Sequence, residues 1–145
     1  MKRSLFVAGV LALGVGAAIA QSNVVEQRQG LMKQMGAQTR PLGGMLRGQQ
    51  PFDLAQAQAS LKIIADSAEK AAPLFPESSK NAEKTEALPA IWENKAKFDG
   101  IMTKLSQDAQ TAIASIKDEA SFKAEVPKVL QNCGACHNDF RKKSS

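Results

Sequence analysis

The sequence predicts an all-α protein, an antiparallel up-down-up-down four-helix bundle. Three observations predict it. Apolar residues recur at spacings of three and four through four separate stretches, period-two alternation is missing throughout, and prolines and polar runs fall between the stretches. A chain of 145 residues with 43% hydrophobic and 23% charged residues supports one core, not two, and excludes a disordered or polytopic membrane protein.

The first twenty residues read as a targeting device. Lys2 and Arg3 precede an apolar run over residues 5–20, and Ala18-Ile19-Ala20 presents small residues where signal peptidase reads. Sixteen residues containing Gly9, Gly14 and Gly16 are short for a bilayer span, so cleavage after Ala20 is expected, with no membrane insertion afterwards. The fold is then built from residues 21–145 in an exported, periplasmic protein. Losing Lys2 and Arg3 takes the formal charge from +5 to +3, and basic residues alternate with acidic ones until Arg141, Lys142 and Lys143. That pattern argues against a nucleic-acid surface, and the net charge alone motivates docking on an acidic partner only weakly.

Ser22 or Asn23 is expected to cap the first helix, whose stripe is Val24, Val25, Leu31, Met32, Met35, Leu42, Met45 and Leu46. Pro41 removes a backbone donor inside this pattern and Gly43-Gly44 loosens it, which predicts a kink or break. Asp53 caps a second helix with Leu54, Ala57, Leu61, Ile64, Ala68 and Ala71, bounded by Pro73. Residues 73–89 are polar and proline-bounded, a long loop anchored by Leu74 and Phe75. A third helix starts near Ile91 and carries Trp92, Phe98, Met102, Leu105, Ala109, Ala112 and Ile116. Asp118 or Ser121 caps the fourth, with Phe122, Val126, Val129, Leu130, Cys133, Cys136, His137 and Phe140 on its stripe; Pro127 is expected to bend it or delay its start.

Cys133-Gly134-Ala135-Cys136-His137 is the C-x-x-C-H attachment sequence for c-type haem. Residues three and four apart share a helical face, so two thiols can form thioethers with the haem vinyl groups while the imidazole reaches iron from the same side. His137 is the single histidine, which leaves no second imidazole for the iron or for peroxidase acid-base chemistry. A disulfide across i, i+3 of a helix is strained, zinc lacks a fourth ligand, and a thiol-redox pair is expected at a helix start after a strand. The expected cofactor is one covalent haem c enclosed by the bundle, and the expected protein is not an enzyme. On the far side of the iron the first helix offers Met32 and Met35, as an axial thioether or as gap-filling core.

The chain resembles the class II c-type cytochromes, the group of cytochrome c prime and its low-spin six-coordinate relatives. The resemblance rests on the haem motif near the carboxyl end, Arg28-Gln29-Gly30-Leu31-Met32, Pro51-Phe52-Asp53, and Ile91-Trp92 with Lys97-Phe98. It implies that Met32 faces the distal side of the haem, as an iron ligand or as an apolar group that only crowds it. Leu31-Met32-Lys33 and Pro73-Leu74-Phe75-Pro76 look more like the Met-ligated branch, with Gly36 leaving room for the porphyrin. Arg28 matches an arginine near a haem propionate in some members, the other reading being a solvated charge; Trp92 reads as core packing. The implied function is single-electron transfer through His/Met-ligated haem with an unspecified redox partner; the alternative is a five-coordinate protein binding nitric oxide or carbon monoxide. A homodimer through the first two helices is allowed by the resemblance.

Overall fold

A computed structural model of the chain describes residues 12–143, with side chains described from Asn23 onward. Four long helices make the bundle: α1 (Ala12–Leu46), α2 (Leu54–Ala71), α4 (Lys95–Ser115) and α5 (Glu119–Phe140), with a single turn, α3 (Ala90–Glu93), before α4. Among the described residues there is no strand, only an isolated antiparallel bridge between Ala87 and Arg141. Helix α1 packs along α2, α2 along α4, and α4 along α5, whereas α5 meets α1 only sparsely. The ring of helices is therefore loosest at the α1/α5 seam, which leaves room there for a bulky group between two helices. The leader expected over residues 1–20 lies outside the described residues apart from the helical backbone from Ala12. No helix among the described residues is long and apolar enough to cross a membrane.

Helix α1 differs from expectation at both ends. It runs through Ser22 and Asn23, so neither caps it in the full chain; Ala-rich sequence ahead of them continues the helix instead. Pro41 does not end it either. The proline costs about 3 kcal/mol, but Leu42 and Met45 are 0% and 1% exposed on the core, and burying two such side chains contributes about 1.5–3 kcal/mol each. Packing wins. The helix stops where Gly48 takes φ 66°, with its N–H on Met45 O at 3.1 Å and Gln49 N–H on Gly44 O at 2.9 Å.

Helix α2 follows its sequence pattern: Asp53 accepts from Gln56 N at 2.9 Å, and Ala57, Leu61, Ile64, Ala68 and Ala71 are buried at helical spacing. The expected third helix is divided. Asn94, at φ −126° and ψ 46°, separates α3 from α4, and the Trp92 indole N–H donates to Phe75 O and Pro76 O, both at 3.1 Å, holding the first turn against the preceding loop. That loop is more ordered than its composition suggests. It forms two 3-10 turns, buries Phe75 and Ser79, and ends paired with the chain's tail through Leu88 N–H on Phe140 O at 3.0 Å and Lys142 N–H on Glu86 O at 2.8 Å.

Helix α5 starts at Glu119, so Pro127 lies inside it without delaying its start. The reason is a reciprocal cap: Asp118 Oδ1 accepts from Ser121 N at 2.8 Å while Ser121 Oγ accepts from Asp118 N at 3.1 Å. Hydrogen bonds from Ser121 hold the Asp118 carboxyl below its ordinary value of 3.8. A carboxyl depressed in the folded state adds stability above its unfolded pKa and loses it as pH falls through the folded one. Asp118→Ala should therefore lower the melting temperature at neutral pH. Melting curves against pH should show the gap closing below the ordinary value; a gap constant down to strongly acidic pH contradicts the cap.

Candidate functional site

At the loose seam lies a cavity of about 450 Å³, lined from α1 by Arg28, Met32, Lys33 and Gly36, and from α5 by Cys136, His137 and Phe140. The volume falls within the range of cofactor pockets. Phe75, Ile91 and Phe98 make the remaining wall apolar, and Phe98 stands edge-on to Phe75 at 4.6 Å and to Phe140 at 5.5 Å. Thr85, Glu86 and Ala87 of the long loop, with Arg141, form the mouth.

Most of the expected site residues are thus brought together. Met32, His137, Cys136 and Arg28 share one cavity; Cys133, one turn before Cys136, is half-buried against the core and does not line it. Met35 is 6% exposed within the core and also lies off the cavity wall. Gly36 lines the wall, and a Cβ there would meet nothing within 4 Å, so the helix is open at this point. Trp92 packs against the core, as expected.

Burial pushes the Cys136 thiol up to about 11, with Cys133 and Asp139 adding to it, and raises Cys133 in the same direction. The same burial, helped by Arg141 and opposed by Glu86, lowers the His137 pKa and favours the neutral imidazole, the form that can donate a lone pair to a metal. Among the described residues no group of three or more His, Cys, Asp or Glu could hold a bare metal ion, so a zinc site has no ligand set.

Arg28 is not a solvated charge. It is 3% exposed and donates to Thr85 Oγ1 at 2.6 Å, Ser79 Oγ at 3.1 Å and Leu74 O at 3.4 Å, with Phe75 stacked at 4.8 Å. None of these partners is a carboxylate, and a buried cation without a counter-ion suits an acid group entering the cavity. Desolvation accordingly lowers its pKa. Arg28→Met removes the donors that tie α1 to the loop and should destabilise the protein by about 2 kcal/mol, with faster proteolysis across residues 72–89. Urea titration and limited digestion check it; unchanged stability contradicts the tie.

An apolar slot walled by aromatics, a neutral imidazole beside a thiol on one helix, a thioether on the facing one and an uncompensated buried cation suit a propionate-bearing porphyrin. A four-helix bundle with this site is a c-type cytochrome of class II. The cytochrome c' family model matches residues 23–141, and the chain belongs to that family, whose cofactor is covalent haem c. It is 50% identical over 139 residues to cytochrome c' of Rhodopseudomonas palustris, covering 96% of this chain and 95% of that one. Cytochrome c-556 of the same organism is 35% identical over 147 residues, covering 99% of each. The solved structure of cytochrome c' from Rhodopseudomonas palustris superposes with a TM-score of 0.81 at 51% identity, covering 84% of this chain and 98% of that one.

Phe75, Thr85, Glu86 and Arg141 were absent from the sequence-derived site. Arg141 follows His137 by four residues, so extending the same helical spacing one turn finds it. The loop residues reach the cavity through long-range hydrogen bonds and carry no local signal.

Proposed function

We propose that the protein is a periplasmic one-electron carrier that transforms no substrate, with thioethers from Cys133 and Cys136 and with His137 and Met32 as axial ligands. The observation that carries this reading is the shared cavity of Met32 and His137, on facing helices, with Met35 turned into the core. Bound haem supplies the iron that takes up and releases the electron. His137 is held neutral by burial, Met32 offers a soft sulfur that raises the reduction potential, and Phe75, Phe98 and Phe140 keep water from the ring. Arg28 is suited to a propionate. Export is supported by the leader and by a family match that begins at residue 23, just past the expected cleavage point.

A second reading leaves Met32 unbonded, with nitric oxide or carbon monoxide as the ligand of five-coordinate iron; the 50% identity to a relative named cytochrome c' favours it. The optical spectrum of the ferrous protein separates the two. Narrow, split low-spin bands indifferent to carbon monoxide support the carrier, and a broad high-spin spectrum that shifts with the gas supports the binder. A homodimer through α1 and α2 belongs to the same proposal, supported by Ile63 of α2, the one large apolar side chain exposed among the described residues.

A further inference from the structure

The mouth of the haem cavity gathers positive charge that the overall composition conceals. Lys33 and Arg141 line the cavity and are exposed. Lys142, also exposed, donates through Nζ to the carbonyl of Thr85 at 3.0 Å, and Thr85 is itself a wall residue. Lys84 is exposed beside it, held at φ 57° with its carbonyl accepting from Gln29 Nε2 at 2.8 Å. That left-handed backbone is costly for a residue with a Cβ and fixes where the lysine stands. Seven salt bridges occur among the described residues, and none involves Lys33, Lys84, Arg141 or Lys142. Glu86 is the carboxylate on the cavity wall, and Glu83 precedes Lys84 in the chain, so these four cations outnumber the nearby carboxylates.

Resting on the electron-carrier reading, we propose that this collar is the docking surface for an acidic redox-partner protein, which it orients over the haem edge. Clustered charge around a cleft raises encounter rates with an oppositely charged surface and fixes orientation. A lipid surface fits less well, since the only large apolar side chain exposed among the described residues, Ile63, lies on α2 and not on the collar.

The test follows transfer of one electron from the ferrous holoprotein to ferricyanide, giving ferric protein and ferrocyanide, with tris(phenanthroline)cobalt(III) as a cationic oxidant. The ferricyanide rate should fall with rising ionic strength and the cobalt rate should not. The double variant Lys33→Glu/Arg141→Glu should slow ferricyanide about tenfold at low ionic strength and invert the salt dependence. Lys62→Glu/Lys123→Glu changes net charge equally, away from the cavity, and should leave the dependence near that of the starting protein. Poly-L-glutamate, as an acidic polypeptide, should slow the ferricyanide reaction of the starting protein and not of the collar variant.

Equal effects of the two double variants overturn the collar. So does a collar variant that shifts the reduction potential with no change in salt dependence, because its cations then serve the haem carboxylates. Collar-dependent sedimentation with phosphatidylglycerol vesicles reassigns the surface to lipid and overturns the protein partner. A ferrous protein that neither reagent oxidises overturns the carrier reading itself, whereas oxidation by both with unaltered slopes overturns the collar alone.

Discussion

Changing Cys133 and Cys136 together to Ala yields a protein whose haem is extracted completely by acidified organic solvent, while each single variant keeps one thioether and stays coloured after extraction. The two thiols sit three residues apart on α5, one of them on the cavity wall, so both would hold one haem, each through its own thioether. Losing both bonds turns attachment into ordinary equilibrium binding. Thermal stability then depends on haem concentration, gaining about 2.7 kcal/mol at a hundredfold excess over the dissociation constant. Absorbance of the extracted and residual fractions checks it, and haem that resists extraction from the double variant contradicts attachment at these cysteines.

Met32→Ala and Met35→Ala should produce opposite patterns. Met35 is 6% exposed in the core, so its truncation should cost about 2–4 kcal/mol of stability and leave the iron spectrum unchanged. Met32 lines the cavity and is only partly buried, so its truncation should cost less stability. On the proposed ligation it also removes a soft axial ligand: the potential should fall, the ferric iron should become high-spin, and carbon monoxide should bind where it did not before. Denaturation curves, potentiometry and ligand mixing separate the two variants. A low-spin to high-spin change in Met35→Ala instead of Met32→Ala assigns the ligand to the other thioether.

What the sequence made legible was local. Asp53 and Asp118 announce the starts of α2 and α5 because their caps are short-range hydrogen bonds, and the haem motif is readable because its three reactive groups lie within two turns of one helix. Position along a stripe is less informative. Met32 and Met35 are one helical step apart on the same apolar stripe, so spacing leaves both open, and only the rotation of α1 against α5 puts Met32 on the cavity and Met35 in the core. The division at Asn94 escaped because the apolar pattern runs across it without a lost beat. Arg28 escaped half-way: charges are seldom fully buried, and the partners that make its burial tolerable, Ser79 and Thr85, are 51 and 57 residues away in the chain. The net charge misled in a similar way, since a modest excess spread over the sequence is concentrated by the fold around one opening.

The proposed bond between Met32 sulfur and iron can be read by proton NMR of the ferrous protein carrying methyl-labelled methionine. A methionine bonded to low-spin ferrous haem holds its methyl group against the porphyrin face, where the ring current moves its resonance far upfield of every other methyl. One such resonance is expected, absent from Met32→Ala and retained in Met35→Ala. A ferrous protein with no upfield methionine methyl and with the broad, paramagnetically shifted lines of high-spin iron contradicts it.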